Sequence, residues 1–324
     1  MAKADVARPA ATASLRPRRT QRIKESLIRA SLIACAVFSI LVTVAIVVVL
    51  FSETFVFFTK PFPEENGDVY RVSAVEFFTS ANWSATSAGG TRHFGIWSLI
   101  CGTLLVTAVA MAFALPLGLI TAIYLSEYAP RTVRAFLKPT LEVLAGIPTV
   151  VYGFFALTVL TPALKFIDEG FNVYNAFSAG IAVGILCLPT VSSLSEDALR
   201  AVPRSLREGG YGLGGTRFDV SLKIVLPAAL SGIISAFLLA IARAIGETMI
   251  VALAAGNTPR LTVDPRDSIQ TMTGFMVQMA SGDLSNFDVA YFSLYAVAAT
   301  LFVITFSLTV MGQLIRKRFR EAYQ

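Results

Sequence analysis

The run LIACAVFSILVTVAIVVVLF, Leu32 to Phe51, contains twenty consecutive residues without a charge. At 1.5 Å per residue, a helix of that length matches the ~30 Å hydrocarbon core of a bilayer. A helix is also one of the few structures that satisfies every backbone polar group where no water is present. Five further apolar runs follow, Ile96 to Tyr124, Val133 to Leu164, Tyr174 to Leu194, Leu222 to Ala255 and Val289 to Ile315. Together they predict an all-α integral membrane protein with six transmembrane helices. Only 15% of the 324 residues are charged, against roughly 25% in soluble domains, which excludes an ordinary soluble fold. The first run is too long for the core of a signal peptide, and SETFVFF follows it in place of a small-residue cleavage site, so it is expected to remain as a helix.

Six crossings put both termini on one side, and the basic residues agree with that arrangement. Met1 to Ala30 carries eight of them, including Arg16, Arg18, Arg19, Arg22 and Lys24, against Asp5 and Glu25. Arg131, Arg134 and Lys138, the segment from Arg200 through Lys223, and Arg316, Lys317, Arg318 and Arg320 fall on the same side. Glu64, Glu65, Asp68, Asp264, Asp267, Asp283 and Asp288 fall on the other. Basic residues accumulate on the cytoplasmic side, so both termini of this multi-pass membrane protein are expected there. The chain then divides into a basic tail (1–30), a first transmembrane helix with an extracytoplasmic loop (31–95), a membrane core (96–315) with a cytoplasmic loop at 195–227, and a basic tail (316–324). Pro116 and Pro148 interrupt apolar runs and are candidate kinks. SIQTMTGFMVQMA, Ser268 to Ala280, is too short to span and reads as an external or interfacial helix.

Several chemistries find no support. Cys35, Cys101 and Cys187 all fall in apolar runs, with no zinc-site spacing, and read as small buried residues. His93, beside Arg92, is the only histidine, so no His-centred triad or His-rich metal site can be assembled. No Gly-Lys dipeptide occurs, and a phosphate-binding P-loop is therefore absent; any ATP must be bound by another subunit. The membrane segments offer no nucleophile paired with a base, which argues against an intramembrane hydrolase. Membrane lipid, and no nucleic acid, is expected to surround the chain.

Within the basic segment stands EGGYGLGGTRFDVSLKIVLP, Glu208 to Pro227, whose first eight residues include five glycines. Upstream, Ser193 and Glu196 have the spacing of a capping box, which predicts a short helix over DALRAVPRSLRE. Each interior glycine weakens a helix by about 1 kcal/mol relative to alanine. A flexible membrane loop is one reading of the segment; a helix and tight turn with a low profile that inserts into a partner is the other. A second feature is AIARAIGETMIVALAAG, Ala240 to Gly256, where Arg243 and Glu247 stand at i and i+4 in an expected helix. An ionised residue at the centre of a membrane helix costs about 2.5–3.5 kcal/mol on insertion scales, so the pair should face protein or water. A solute pathway and an internal salt bridge are both compatible with it. A guanidinium supplies planar, multidentate donors suited to phosphate, and a nearby carboxylate would keep binding weak enough for release. Gly232, Ala236, Ala240, Ala244 and Thr248 form a small-residue stripe suited to close approach of another helix.

Glu208, the small pair Gly209 and Gly210, Gly214, Ile224, Leu226 and Pro227 have the spacing of the EAA loop, and the segment resembles that coupling loop of ABC importer permeases. This sequence has two glycines where the usual pattern has two alanines. PLGLITAIYLSEYAP, LEVLAGIPTVVYGFFAL and ARAIGETMIV extend the likeness from about Phe94 to the C-terminus, and resemble the C-type permeases of phosphate ABC transporters, within the binding-protein-dependent ABC importer permease family. The resemblance implies a type I ABC importer permease fold, and a transmembrane permease subunit that forms half of the pathway of an ATP-driven phosphate importer. It also implies a second phosphate permease subunit, a cytoplasmic ABC ATPase dimer and an extracytoplasmic phosphate-binding protein as partners. No cofactor is expected in this chain; ATP and Mg belong to the ATPase, and hydrolysis occurs there. The EAA residues would dock on the ATPase, while Arg243 and Glu247 would line the pathway. A permease for another oxyanion or small solute is the nearest alternative, and a passive channel a more distant one.

Overall fold

The computed structural model describes residues 19–63, 69–85, 92–282 and 288–320. The tail segments 1–18 and 321–324, together with Glu64, Glu65, Asp68 and Asp283, lie outside the described residues. In chain order the helices are α1 (Arg19–Thr59), α2 (Ala74–Thr79), α3 (Trp97–Ile123), α4 (Arg131–Ala145), α5 (Thr149–Phe155), α6 (Thr161–Ile167) and α7 (Ala176–Arg200). They continue with α8 (Arg204–Gly212), α9 (Arg217–Val220), α10 (Leu226–Ala228), α11 (Leu230–Ile245), α12 (Met249–Ala254), α13 (Met272–Ser281) and α14 (Val289–Arg320). Three π-helical turns, Tyr124–Tyr128, Ala156–Leu160 and Ser221–Val225, join consecutive helices. Between α1 and α3, two small antiparallel pairs form, β1 (Phe62–Pro63) with β2 (Val69–Tyr70) and β3 (Trp83–Ser84) with β4 (His93–Phe94).

The chain divides into two compact units, Met1–Val49 and Leu50–Gln324. Along the first, Leu32, Phe38, Ile40 and Ile46 are exposed, the apolar surface that a spanning helix presents to lipid. In the second, Phe57, Phe77, Trp83, Phe94 and Phe275 pack edge to face in an aromatic cluster, which gathers the segment between α1 and α3 over α13.

Five helical stretches among the described residues are long and apolar enough to cross a membrane: Lys24–Thr59, Trp97–Tyr128, Thr149–Ile167, Ala176–Arg200 and Val289–Ile315. The pair Arg217–Ala228 and Leu230–Ile245, bent by 70°, makes a sixth if it is taken as one broken span. Two expected runs therefore differ from the structure. The run from Val133 to Leu164 splits, because Gly146, Ile147 and Pro148 separate α4 from the span that begins at Thr149. Pro148 has no N–H to donate, and the Tyr152 hydroxyl closes the break by donating to the Leu144 carbonyl at 2.7 Å. The run from Leu222 to Ala255 is interrupted at Ala229 and again at Gly246–Thr248.

At the centre, α7 packs against α3 at backbone distance. A methyl group placed on Gly180 would stand 2.6 Å from Val109 Cβ, and one on Gly118 would stand 2.6 Å from Val191 Cγ1. In a membrane, where lipid is as apolar as leucine, this close packing is a main source of helix association. The small-residue stripe of α11 serves the same purpose inside the chain: Ala236, Ala240 and Ala244 are buried, and a methyl on Gly232 would lie 2.5 Å from Ala198 Cβ of α7. α13 begins at Met272 and sits in the interior, with Met272, Thr273 and Phe275 buried. The segment Ser268 to Ala280, expected as an external or interfacial helix, thus packs its first turns against the rest of the protein while Gln278 and Ala280 stay exposed. Its entry is fixed by the Met272 N–H, which donates to Thr103 Oγ1 of α3 at 2.9 Å. Only Cys187 of the three cysteines is buried; Cys35 is exposed and Cys101 half-buried.

The start of α7 is capped by the segment before α13. Asn175 accepts the Ser178 N–H at 2.7 Å, and the Ala176 and Phe177 N–H groups donate to the carbonyls of Asp267 and Pro265 at 3.2 and 2.9 Å. Three donors that a helix start leaves open are so satisfied. The strap is held by Arg266, which pairs with Asp264 at 2.8 Å and Asp168 at 3.2 Å. The Asp168 carboxyl is held below its ordinary value by the Gly170 N–H and then Arg266, and the Asp264 carboxyl by hydrogen bonds from Arg266.

Two outcomes follow from this packing. Gly180→Val should destabilise the bundle by about 1–3 kcal/mol through overpacking, read as a lower unfolding midpoint of the purified protein. Because both carboxyls are depressed when folded, their contribution is complete above their ordinary value of 3.8 and is lost as pH falls through the folded values. Pepsin cleavage within 257–268, measured relative to an unfolded substrate at each pH, should accordingly accelerate as pH drops below about 4, and Arg266→Gln should weaken that pH dependence while the Gly170 N–H bond to Asp168 preserves part of it.

Candidate functional site

The glycine-rich segment is folded by its own backbone. α8 runs from Arg204 through Gly212, and Gly209 and Gly210 lie inside it. Its end is a Schellman motif: the Gly215 N–H donates to the Gly210 carbonyl at 3.1 Å and the Gly214 N–H to the Tyr211 carbonyl at 2.9 Å. That geometry requires a left-handed residue, and Gly214 supplies it with φ at +85°. One residue after Gly215 the chain starts again, as Thr216 and Asp219 form the capping box of α9. The capping box expected at Ser193 and Glu196 does not form, because α7 continues unbroken to Arg200 and takes its cap from Asn175.

The glycines divide by role. A methyl on Gly210 would lie 2.5 Å from Ile224 Cδ1 and 3.0 Å from Val220 Cγ2. Gly210 and Ile224, fourteen positions apart, therefore meet: α8 lies against the π turn Ser221–Val225. Gly209, Gly212 and Gly214 face open space. Beside them Leu206, Tyr211 and Phe218 are exposed, and Leu213 is 91% exposed. Glu208 is exposed as well. Leu226 and Pro227 open the short α10, where proline occupies a first-turn position that needs no N–H, and the chain then bends into α11.

Two ionic clusters tie this end of the molecule together, and neither stands out in the sequence. Glu196 of α7 is fully buried and receives Arg134 at 2.5 Å, Lys138 at 3.1 Å and Arg200 at 3.8 Å. Burial pulls the Lys138 ammonium down, yet its hydrogen bonds to Asp197 and Glu196 outweigh that and raise it. These contacts fasten the amphipathic α4 to α7. Arg207 of α8 pairs with Glu127 of the π turn Tyr124–Tyr128 at 3.2 Å. The sequence signal for both is a carboxylate at the end of an apolar run; apart from Arg200, at i+4 from Glu196, the basic partners stand at separations that no local spacing rule covers.

Arg243 and Glu247 are placed differently from the expectation of one helical face. Arg243 is in the last turn of α11, the helix ends at Ile245 with Gly246 as its cap, and Glu247 stands in the break before α12. No ion pair joins them among the described residues. Arg243 is exposed, and its Nη1 donates to Thr190 Oγ1 of α7 at 3.1 Å. Glu247 is buried; its carboxylate accepts the Ile250 N–H at 3.5 Å, and its carbonyl accepts from Thr273 Oγ1 at 2.7 Å. A guanidinium carries five N–H donors, so Arg243 can still engage an anion while Thr190 holds it.

Comparison with known proteins agrees with this architecture. The family profile described as "Binding-protein-dependent transport system inner membrane component" matches residues 114–321. A Bacillus subtilis (strain 168) protein described as probable ABC transporter permease protein YqgH is 33% identical over 301 residues, covering 93% of this chain and 94% of the relative. The phosphate transport system permease protein PstC of Mesorhizobium japonicum is 33% identical over 264 residues, covering 75% and 78%. Among solved structures, a chain of the bacterial alginate ABC transporter in complex with an alginate pentasaccharide-bound periplasmic protein superimposes with a TM-score of 0.61 at 13% identity, over 93% of this chain and 98% of that one. That likeness establishes the fold, a type I importer arrangement of helices.

The division of glycines can be tested directly. Gly210→Val should lower the unfolding midpoint by displacing Ile224, at a cost of about 1–3 kcal/mol. Gly209→Ala, in a helical position facing open space, should raise it by up to about 1 kcal/mol in the same measurement. The chain belongs to the family of inner-membrane components of binding-protein-dependent transport systems.

Proposed function

We propose that this chain is the transmembrane permease subunit of an ATP-driven phosphate importer and forms half of the translocation pathway. Arg243 carries the reading. It is a guanidinium at a break between membrane helices, held by one side-chain hydroxyl, with donors left for a tetrahedral oxyanion. Relatives similar to this chain over three quarters of its length are themselves phosphate transport system permeases, which favours phosphate among the oxyanions. Glu247, beyond the helix end, places a carboxyl group near the same break and would limit how tightly the anion is held.

The reading assigns α8 and the turn after it to contact with a cytoplasmic ABC ATPase dimer. Glu208, Gly209 and Gly214 lie on the open side of that segment together with exposed Leu206 and Leu213. Gly210, Ile224, Leu226 and Pro227 support it from behind, by packing and by the bend into α11. A second phosphate permease subunit would complete the pathway, an extracytoplasmic phosphate-binding protein would deliver the anion, and ATP with Mg would act in the ATPase. Both termini and α8 are assigned to the cytoplasm on the distribution of basic residues.

Arg243→Gln should reduce phosphate uptake by the reconstituted complex about ten-fold, the scale of one lost charge-assisted hydrogen bond, while ATPase association stays intact. Loss of assembly would instead make Arg243 a structural residue. A permease for another oxyanion is the second reading, since a guanidinium also suits sulfate and molybdate; uptake of sulfate but not phosphate would select it. Phosphate flux that persists with a hydrolysis-dead ATPase would point to a passive channel.

A further inference from the structure

Arg207 of α8 reaches two membrane helices at once. Its Nη2 donates to the Leu199 carbonyl, in the last turn of α7, at 2.7 Å, and stands 3.2 Å from Glu127 Oε1 in the π turn that ends α3. The contact is shielded: the side chains of Glu127 and Arg207 are 7% and 20% exposed. Glu127 is in turn held by the Ser126 hydroxyl, which donates to the same Oε1 at 2.8 Å. Arg207 Nε is buried without a hydrogen-bond partner, so part of the guanidinium is shielded from water where these contacts form. Removing one member of a shielded pair leaves an uncompensated charge, and such a link resists separation under load.

The two helices so joined are the ones that pack at backbone distance through Gly118 and Gly180. α7 also carries Thr190, the residue that holds Arg243, nine positions before Leu199 on the same continuous helix, about 13 Å along its axis. Pro189 immediately precedes Thr190 inside α7 and withholds one helical hydrogen bond there. The part of α7 gripped by Arg207 therefore begins where the helix bends most easily.

We propose that the Arg207–Glu127 pair, with the Leu199 carbonyl, transmits displacement of α8 into α3 and α7 and so to the Thr190–Arg243 contact. This rests on the importer reading of α8 as the ATPase-docking element. Arg207 is a positioning residue in this scheme: it touches neither solute nor ATPase, and it determines whether movement of the docking element reaches the membrane helices. Gly210 against Ile224 gives α8 its second hold, on the segment leading to α11. α8 thus holds α7 directly and meets the π turn that leads, through α10, to the helix carrying Arg243.

The test uses the complete complex, with the second permease subunit, the ATPase and the binding protein, in proteoliposomes. Glu127→Gln, Arg207→Gln and the double variant should each raise ATP hydrolysed per phosphate imported by roughly ten-fold, inside the usual range of site-to-site coupling. The double variant should be no worse than the single ones, and the ATPase should co-purify as with the unmodified chain. Unchanged stoichiometry, multiplied defects in the double variant, or loss of the ATPase would overturn the proposal. A spectroscopic arm does not depend on the solute. With Cys35, Cys101 and Cys187 replaced by serine and spin labels at Val151→Cys and Leu239→Cys, a non-hydrolysable ATP analogue should shift the inter-label distance. Glu127→Gln should cut that shift by more than half, and a full shift in the variant would overturn the link. If the unmodified complex carries no phosphate, the substrate assignment fails, and this second arm still decides the link.

Discussion

The rest of the structure depends on the approach of α7 to α3 at a separation that only hydrogen-sized side chains permit at Gly118 and Gly180. Lipid offers no hydrophobic drive for two apolar helices to associate, so close packing and internal polar contacts have to supply it. Everything attached to α7 uses that fixed axis. The strap through Pro265 and Asp267 caps its start, Glu196 and Leu199 receive cations from α4 and α8 at its end, and Thr190 holds Arg243 between them. A helix buried on so many sides is continuous for 25 residues, while the helices around it are repeatedly broken.

Those breaks are where the sequence is hardest to read. Hydrophobicity locates the spans at Trp97–Tyr128 and Val289–Ile315 closely, because length and composition alone determine whether a segment suits hydrocarbon. Hydrophobicity does not report where a helix bends. The run from Leu222 to Ala255 is apolar almost throughout, yet it divides at Ala229 and Gly246, and the second division removes Glu247 from the helical face that its spacing from Arg243 predicts. The burial of the first turns of α13 is likewise hidden, since Gln270 before it and Thr273 within it suggest a surface and are in fact satisfied inside the protein: Gln270 donates to Gln278, and Thr273 to the carbonyl of Glu247.

The glycine-rich segment is more legible, for reasons that local geometry makes plain. Gly214 stands where a left-handed residue must end α8, and Gly210 stands where Ile224 crosses, so the spacing from Glu208 to Pro227 describes a helix, its stop and the surface behind it. Glycines that read together as a low-profile fit to a partner serve different ends. The tertiary partners of charged residues are not legible. Nothing between Glu127 and Arg207, or between Arg134 and Glu196, marks them as neighbours, because the fold alone brings them together.

The stop that closes α8 is made by backbone N–H and carbonyl groups, with one glycine to permit the turn. The side chains of Leu206, Tyr211 and Leu213 take no part in that closure. The length and end point of the helix are consequently fixed without the side chains on its outer face, which can change while both stay as they are. The result is a fixed peg whose outer surface is set by sequence alone, independent of the turn that ends it.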